Sequence, residues 1–231
     1  MYEARLRDSV PAVREQIERA RERGGRNRPV TLVAVTKGHD VAAARAAAEY
    51  GLADCAENRV QDLESKVEAV GRGAVRWHLI GHLQRNKVRR ALPLFDLIHS
   101  IDSERLAAEL SAEAGRAGVD VRGLVQVNTS GEATKGGFSA DNAIESVARI
   151  AALPHLRVSG MMTMAPFDAE ESGLRQVFGR ARDLFERCSR EVAGFEAVHL
   201  SMGMSGDFEV AVEEGSTMVR LGTILFGERA S

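Results

Sequence analysis

Eight short apolar runs alternate with segments of helical spacing along the 231 residues of this chain. The runs occupy residues 30–36, 52–56, 75–80, 95–99, 121–127, 156–162, 197–200 and 217–221. Helical patterning falls at 41–50, 60–70, 84–92, 103–117, 140–152, 170–192 and 207–214, and one further amphipathic segment at 8–23 precedes the first run. The run Val-Thr-Leu-Val-Ala-Val-Thr at 30–36 is uncharged and rich in β-branched residues, which predicts a strand buried on both faces. Such strands belong to parallel sheets covered by helices. Strict alternation implies parallel pairing. Eight repeats, in a length close to the ~250 residues usual for the fold, predict a closed (β/α)8 TIM barrel with an extra N-terminal helix. The alternative is an open doubly wound sheet, but neither GxGxxG nor GxxxxGK[ST] occurs. No Pro- or Ser-rich linker divides the chain, so a single domain over residues 1–231 is expected.

Composition excludes several classes. A formal net charge of −2 gives no global attraction to nucleic acid or to an anionic membrane. Cys55 and Cys188 stand far apart and outside any CxxC pattern, so neither a disulfide framework nor a zinc site is expected. The six histidines show no HExxH spacing, and no metal is predicted. The first residues are charged and lack the apolar core of a signal peptide, and no run approaches the ~18 apolar residues of a membrane span. A cytoplasmic protein is the expectation.

In a parallel barrel, ligands gather where the strands end. The residues that follow the runs include Lys37, Asn58, His82, Ser100, Asn128, Met162, Ser201 to Ser205, and Arg220 to Thr223. A lysine at the rim of an apolar core has its ammonium form disfavoured, and its neutral amine attacks aldehydes to form a Schiff base. A lysine snorkelling into solvent is the plainer reading of Lys37 alone. The small-residue turn Ser201-Met-Gly-Met-Ser205 enters a helix, and Arg220-Leu-Gly222-Thr223 ends the last run. Loops after strands seven and eight form the recurrent phosphate site of these barrels. Singly, Gly222 reads as a turn residue, Ser205 as an N-cap and Arg220 as half of a core ion pair. Together at one barrel end they predict a phosphate site.

A Schiff-base lysine beside a phosphate site suggests pyridoxal 5'-phosphate. The chain resembles the pyridoxal phosphate homeostasis protein family, single-domain relatives of the alanine racemase N-terminal barrel. The resemblance rests on Leu32-Val-Ala-Val-Thr-Lys37, Glu57-Asn-Arg59, the stretch from Trp77 to Lys87, Gln126-Val-Asn128, Lys135-Gly-Gly-Phe138, Gly160-Met-Met162, Leu200-Ser-Met-Gly-Met-Ser205 and Gly215-Ser-Thr-Met-Val-Arg-Leu-Gly222. It implies a cofactor held on Lys37, with Ser205, Gly222 and Thr223 at the phosphate and Arg220 near the pyridine nitrogen. Ser201, Asn58 and Met202 are expected in the same pocket. Arginine stays charged, so Arg220 would oppose protonation of that nitrogen and weaken the ring as an electron sink.

The resemblance also implies a carrier and regulator of intracellular pyridoxal phosphate without established turnover, serving apo-enzymes that use the cofactor. Alanine racemase adds a tyrosine from a second domain, whereas Tyr2 and Tyr50 fall at no strand's carboxyl end. No catalytic residue is therefore assigned, and a monomer is expected. One alternative is a small racemase or lyase using Lys37 with His82 or a water on the second face. Another is a nucleic-acid or protein module built on the basic run Gln84-Arg-Asn-Lys-Val-Arg-Arg90, which reads better as a solvated barrel exterior lacking aromatic platforms. Many relatives carry a second lysine two residues after the first, where this chain has His39, whose charge depends on pH. Lys135 is read either as a cofactor-handling residue or as a solvated loop charge.

Overall fold

A computed structural model describes residues 1–132 and 136–228. Lys135 lies outside the described residues. The elements in order are α1 (Tyr2–Arg23), β1 (Thr31–Val35), α2 (Val41–Tyr50), β2 (Asp54–Glu57), α3 (Val60–Val70), β3 (Arg76–Leu79), α4 (Val88–Ala91), β4 (Leu97–Ile101) and α5 (Glu104–Ala117). They continue with β5 (Val121–Asn128), β6 (Phe138–Ser139), α6 (Ala143–Ala151), β7 (Leu156–Met162), α7 (Glu171–Glu191), β8 (Phe195–Ser201), α8 (Phe208–Glu213), β9 (Met218–Leu221) and α9 (Thr223–Phe226).

Strands pair in the order β1–β2–β3–β4–β5–β7–β8–β9, and β9 returns to β1, every pair parallel. The β4–β5 pairing closes the ring and rules out the open sheet. The short β6 is an extra strand alongside β5, outside the ring. Alternation along each strand divides the apolar residues into two cores. Val33, Val35, Ala56, Leu97, Leu124, Met162 and Met218 cluster inside the barrel with no helix contributing. Ala34, Cys55, Trp77, Ile98 and Val125 point outward into the larger core beneath the helices.

Several boundaries differ from the sequence expectation. Helix α1 starts at Tyr2 rather than residue 8, because Leu6 extends the buried stripe Leu6, Val10, Val13, Ile17 and Ala20. The expected helix at 84–92 is a composite: a 3-10 turn Arg85–Lys87, the single turn α4, and a second 3-10 turn Leu92–Leu94. Strand β4 runs two residues later than expected. Asp96 is held before it, accepting from the Trp77 backbone N–H at 2.8 Å and pairing with Arg72, which sets where the strand begins. Helix α5 begins as expected, with Ser103 Oγ accepting from the Leu106 N–H at 3.3 Å.

The two thiols are structural. Both cysteines are free and buried. Burial, with Asp54 and Glu57 nearby, pushes the Cys55 thiol up to about 12, and burial raises Cys188 to about 11. Among the described residues no helix is long and apolar enough to cross a membrane.

Candidate functional site

Strand β1 delivers Lys37 to the carboxyl-terminal mouth of the barrel. Behind it the chain is anchored by a buried ion pair. Lys66 Nζ on α3 donates to the Thr36 carbonyl at 2.7 Å and to Glu57 Oε1 at 2.5 Å, while Thr36 Oγ1 donates to the same carboxylate oxygen at 2.6 Å. Thr36 is fully buried, so the last peptide before Lys37 is fixed from below.

Lys37 lines a cavity of about 480 Å³ at this mouth. Asn58, Ser205, Arg220, Gly222 and Thr223 line it as well, so six of the eight sequence-predicted residues meet in one place. Val35, Ile80, Met164 and Leu174 supply apolar wall, and the fully exposed Phe167 stands at the edge. Volume and lining suit a small planar ligand with a few convergent polar groups.

The loop after β8 and the end of β9 are knitted together. Ser205 Oγ accepts from the backbone N–H of Gly222 at 3.3 Å and of Ile224 at 3.4 Å. Gly203 makes this possible, because its φ is +96° and a Cβ there would lie 2.7 Å from Ala211 Cβ and 3.0 Å from Phe208 Cα. The Gly203 carbonyl in turn accepts from the Arg220 N–H at 3.0 Å. At Asn58 the close approach is mutual: a Cβ on Gly81 would lie 2.0 Å from the Asn58 carbonyl oxygen.

The other two expected residues sit elsewhere. Met202 is fully buried in the outer core, and Met164 and Met204 are the methionines of the cavity wall. Ser201 lies beneath the cavity, where its Oγ accepts from Arg220 NH1 at 2.7 Å and lies 3.0 Å from His99 Nδ1. Arg220 is buried and also donates to the Thr163 carbonyl at 3.0 Å. Burial pushes its guanidinium down to about 10, partly offset by Asp207, so it remains a cation at neutral pH. The core ion pair considered for Arg220 is not found: no carboxylate lies within 4.0 Å of it among the described residues.

His82 faces a separate depression, bonded through Nδ1 to Asp102 Oδ2 at 2.7 Å, and does not line the cavity. His82 is therefore not placed to serve as the second group of the racemase alternative. Sequence reasoning missed a different neighbour. The α1 terminus brings the Tyr2 hydroxyl within 3.3 Å of His39 Nδ1, and His39 lines the cavity. Phe226 of α9 packs on the same imidazole at 5.6 Å between centroids. Burial, with Asp40, raises the Tyr2 phenol above its ordinary value. The basic run shows a solvated character: Arg90 pairs with Glu64, while Val88 and Ala91 are buried.

Residues 9–230 match the family described as alanine racemase, N-terminal domain. A pyridoxal phosphate homeostasis protein of Aquifex aeolicus is 40% identical over 223 residues, covering 96% of this chain and 97% of the relative. The chain belongs to this family. Among solved structures, one described as an unknown protein from Bifidobacterium adolescentis superposes with a TM-score of 0.91 at 35% identity, over 97% of this chain and 96% of its own. PipY of Synechococcus elongatus, solved with pyridoxal phosphate bound, superposes with a TM-score of 0.84 at 32% identity, over 96% of this chain and 100% of its own. Membership in the pyridoxal phosphate homeostasis family accounts for an eight-stranded barrel whose polar groups converge on the mouth where Lys37 stands.

Proposed function

We propose that the chain binds pyridoxal 5'-phosphate in the Lys37 cavity and takes part in intracellular homeostasis of that cofactor. The observation that carries this reading is the convergence of one amine, one buried guanidinium and the Ser205–Gly222–Thr223 cluster on a single cavity of about 480 Å³. The cofactor supplies an aldehyde that condenses with a primary amine. Lys37 offers that amine, held at the end of β1 by the clamp on Thr36. Ser205 and Thr223 offer hydroxyls, and Gly222 offers close backbone approach, for a phosphate. Arg220 donates hydrogen bonds and accepts none, which suits it to an unprotonated ring nitrogen. Val35, Ile80 and Met164 supply apolar wall that would shield the cofactor ring from water. Relatives of this family named for pyridoxal phosphate homeostasis, and PipY with the cofactor bound, support the assignment.

The test is the visible spectrum of the purified protein before and after borohydride, followed by peptide mass mapping. A yellow species that reduction fixes to Lys37 is expected, with the tag absent from Lys37→Ala. A protein that stays colourless and unlabelled after incubation with pyridoxal phosphate would overturn the reading.

The Tyr2–His39 contact at the rim supports a second reading, a small amino-acid racemase or lyase in which these groups hold or move a proton. Turnover of D- or L-amino acids by the loaded protein, abolished in His39→Ala, distinguishes it from the carrier.

A further inference from the structure

Inside the barrel, beneath the cavity, runs an unbroken row of hydrogen-bonded side chains from β9 to the opposite mouth. Arg220 NH1 meets Ser201 Oγ at 2.7 Å, and Ser201 Oγ meets His99 Nδ1 at 3.0 Å. His99 Nε2 meets His78 Nδ1 at 2.8 Å, and His78 Nε2 meets Asp54 Oδ1 at 3.0 Å. Asp54, at the start of β2, is gripped by Arg76 at the start of β3 through contacts of 2.7 and 2.6 Å. Every member from Asp54 to Arg220 is buried, His99 completely.

The two ends fix the direction of every bond between them. Arginine has only donors, so Ser201 Oγ accepts from Arg220; with Asp54 accepting at the far end and one hydrogen on each ring, the Ser201 hydrogen turns to His99 Nδ1. His99 therefore carries its proton on Nε2 and donates it to His78 Nδ1. His78 is then also protonated on Nε2, and it donates to a carboxylate that can only accept. The reverse sense would require either a hydrogen on the Asp54 carboxylate or a second hydrogen on the His78 ring. An additional proton on the row would place a third cation between Arg220 and Arg76. Burial pushes the His99 imidazole well below its ordinary value, and the Arg220 cation adds to the effect, so the imidazole stays neutral. The aligned groups turn their negative ends toward Arg220, a buried cation with no carboxylate within 4.0 Å among the described residues, and Asp54 supplies the full negative charge at the far end.

We propose that Ser201, His99 and His78 form a one-directional hydrogen-bond chain that holds Arg220 as a charged donor to the cofactor cavity and ties it to the Asp54–Arg76 pair at the opposite mouth. This rests on the function proposed above for its cofactor side, but the chain itself is a property of the protein alone. The three residues are positioning residues: they act on a ligand only through Arg220. A signal follows from the geometry, because a change of charge at Asp54 alters how firmly Arg220 is held at the other end of the barrel.

Nitrogen-15 spectra of the imidazoles in the protein without cofactor test the chain directly, with no substitution required. Both His78 and His99 are expected to carry a hydrogen on Nε2 and none on Nδ1 at neutral pH. Asp54→Asn is expected to shift the His99 nitrogen signals, although residue 54 does not touch His99. A protonated Nδ1 or a charged ring at either histidine overturns the proposal. On the cofactor side, His99→Leu is expected to weaken retention of pyridoxal phosphate about fivefold and to move the pH midpoint of the visible band. His99→Gln, whose amide both accepts and donates, is expected to restore both. A folded His99→Leu protein with unaltered retention and spectrum refutes the coupling. Failure of borohydride to tag any variant, wild type included, defeats the proposed function while the nitrogen spectra still decide the chain.

Discussion

The Glu57–Lys66 pair behind Lys37 yields the sharpest prediction about how the site is built. The two side chains are 0% and 4% exposed, so the pair belongs to the buried regime, where removing one partner strands the other charge. Glu57 is already marginal, with Oε2 buried and lacking any hydrogen-bond partner. Lys66→Met keeps the apolar stem and deletes the ammonium, leaving a carboxylate with only Thr36 Oγ1 to solvate it. The expected cost is about 3–5 kcal/mol. For a chain of this length that corresponds to a fall of roughly 6–20 °C in the thermal midpoint. Glu57→Gln/Lys66→Met leaves no buried charge and keeps an acceptor for Thr36, so it should cost less than Lys66→Met alone. The assay is calorimetry or circular-dichroism melting of the two single variants and the double variant, read as a cycle. Because Lys66 also holds the Thr36 carbonyl, Lys66→Met should loosen retention of the cofactor at Lys37. A loss below about 1 kcal/mol, the size of an exposed pair, would refute the reasoning, since it would mean that water reaches Glu57.

Three further outcomes are expected. His99 is held below its ordinary value, so the unfolded chain takes up a proton below about pH 6.5 that the folded protein refuses. Stability should therefore be full above that pH and fall beneath it, approaching about 1.4 kcal/mol per pH unit for this proton, and melting of His99→Gln should show the shallower slope. At lower pH, burial pushes the Asp54 carboxyl up, but the bonds from His78 and Arg76 outweigh it, adding a second loss once that carboxylate protonates. Gly203→Ala forces a Cβ into a left-handed backbone and against Ala211, and should cost about 2–3 kcal/mol by thermal melting; an unchanged midpoint would show that the loop relaxes freely. Ser205→Ala removes the acceptor shared by the Gly222 and Ile224 amides together with one hydroxyl of the proposed phosphate site, and should weaken retention of pyridoxal phosphate about tenfold in a dialysis assay.

The barrel was legible because its cause is local and repeated. Most strands are apolar runs long enough to be buried on both faces, and eight runs alternating with helices leave closure as the compact solution. The rim followed from the same logic: wherever a run ends, the next residue reaches the mouth, which places Lys37, Asn58, Ser205, Arg220, Gly222 and Thr223 together. Met202 escaped this rule. The rule assigns a loop to the mouth without saying which side chain turns inward, and the turn at Gly203 sends Met202 to the outer core and Met204 to the cavity. Tyr2 escaped it too, since an N-terminal helix reaches the rim only through its packing on α2, α8 and α9.

The interior histidines show most clearly where sequence pattern stops being informative. His78 alternates with Trp77 and Leu79, and a histidine among buried neighbours reads correctly as lumen packing. Nothing local reveals that it touches His99, because the five positions 54, 78, 99, 201 and 220 become neighbours only when the ring closes. Closure also creates the demand that these residues meet. A cation fixed at the mouth by Arg220 cannot be buried without acceptors, and in a closed parallel barrel most strand carbonyls are spent on the ladder, so side chains of the other strands must supplement the few carbonyls left at the strand ends. Ser201 and the Thr163 carbonyl answer first, and the histidines then carry the remaining hydrogen toward a carboxylate that can accept it. The polar column through an otherwise apolar lumen is thus the structural consequence of placing an arginine, rather than a carboxylate, beneath the Lys37 cavity.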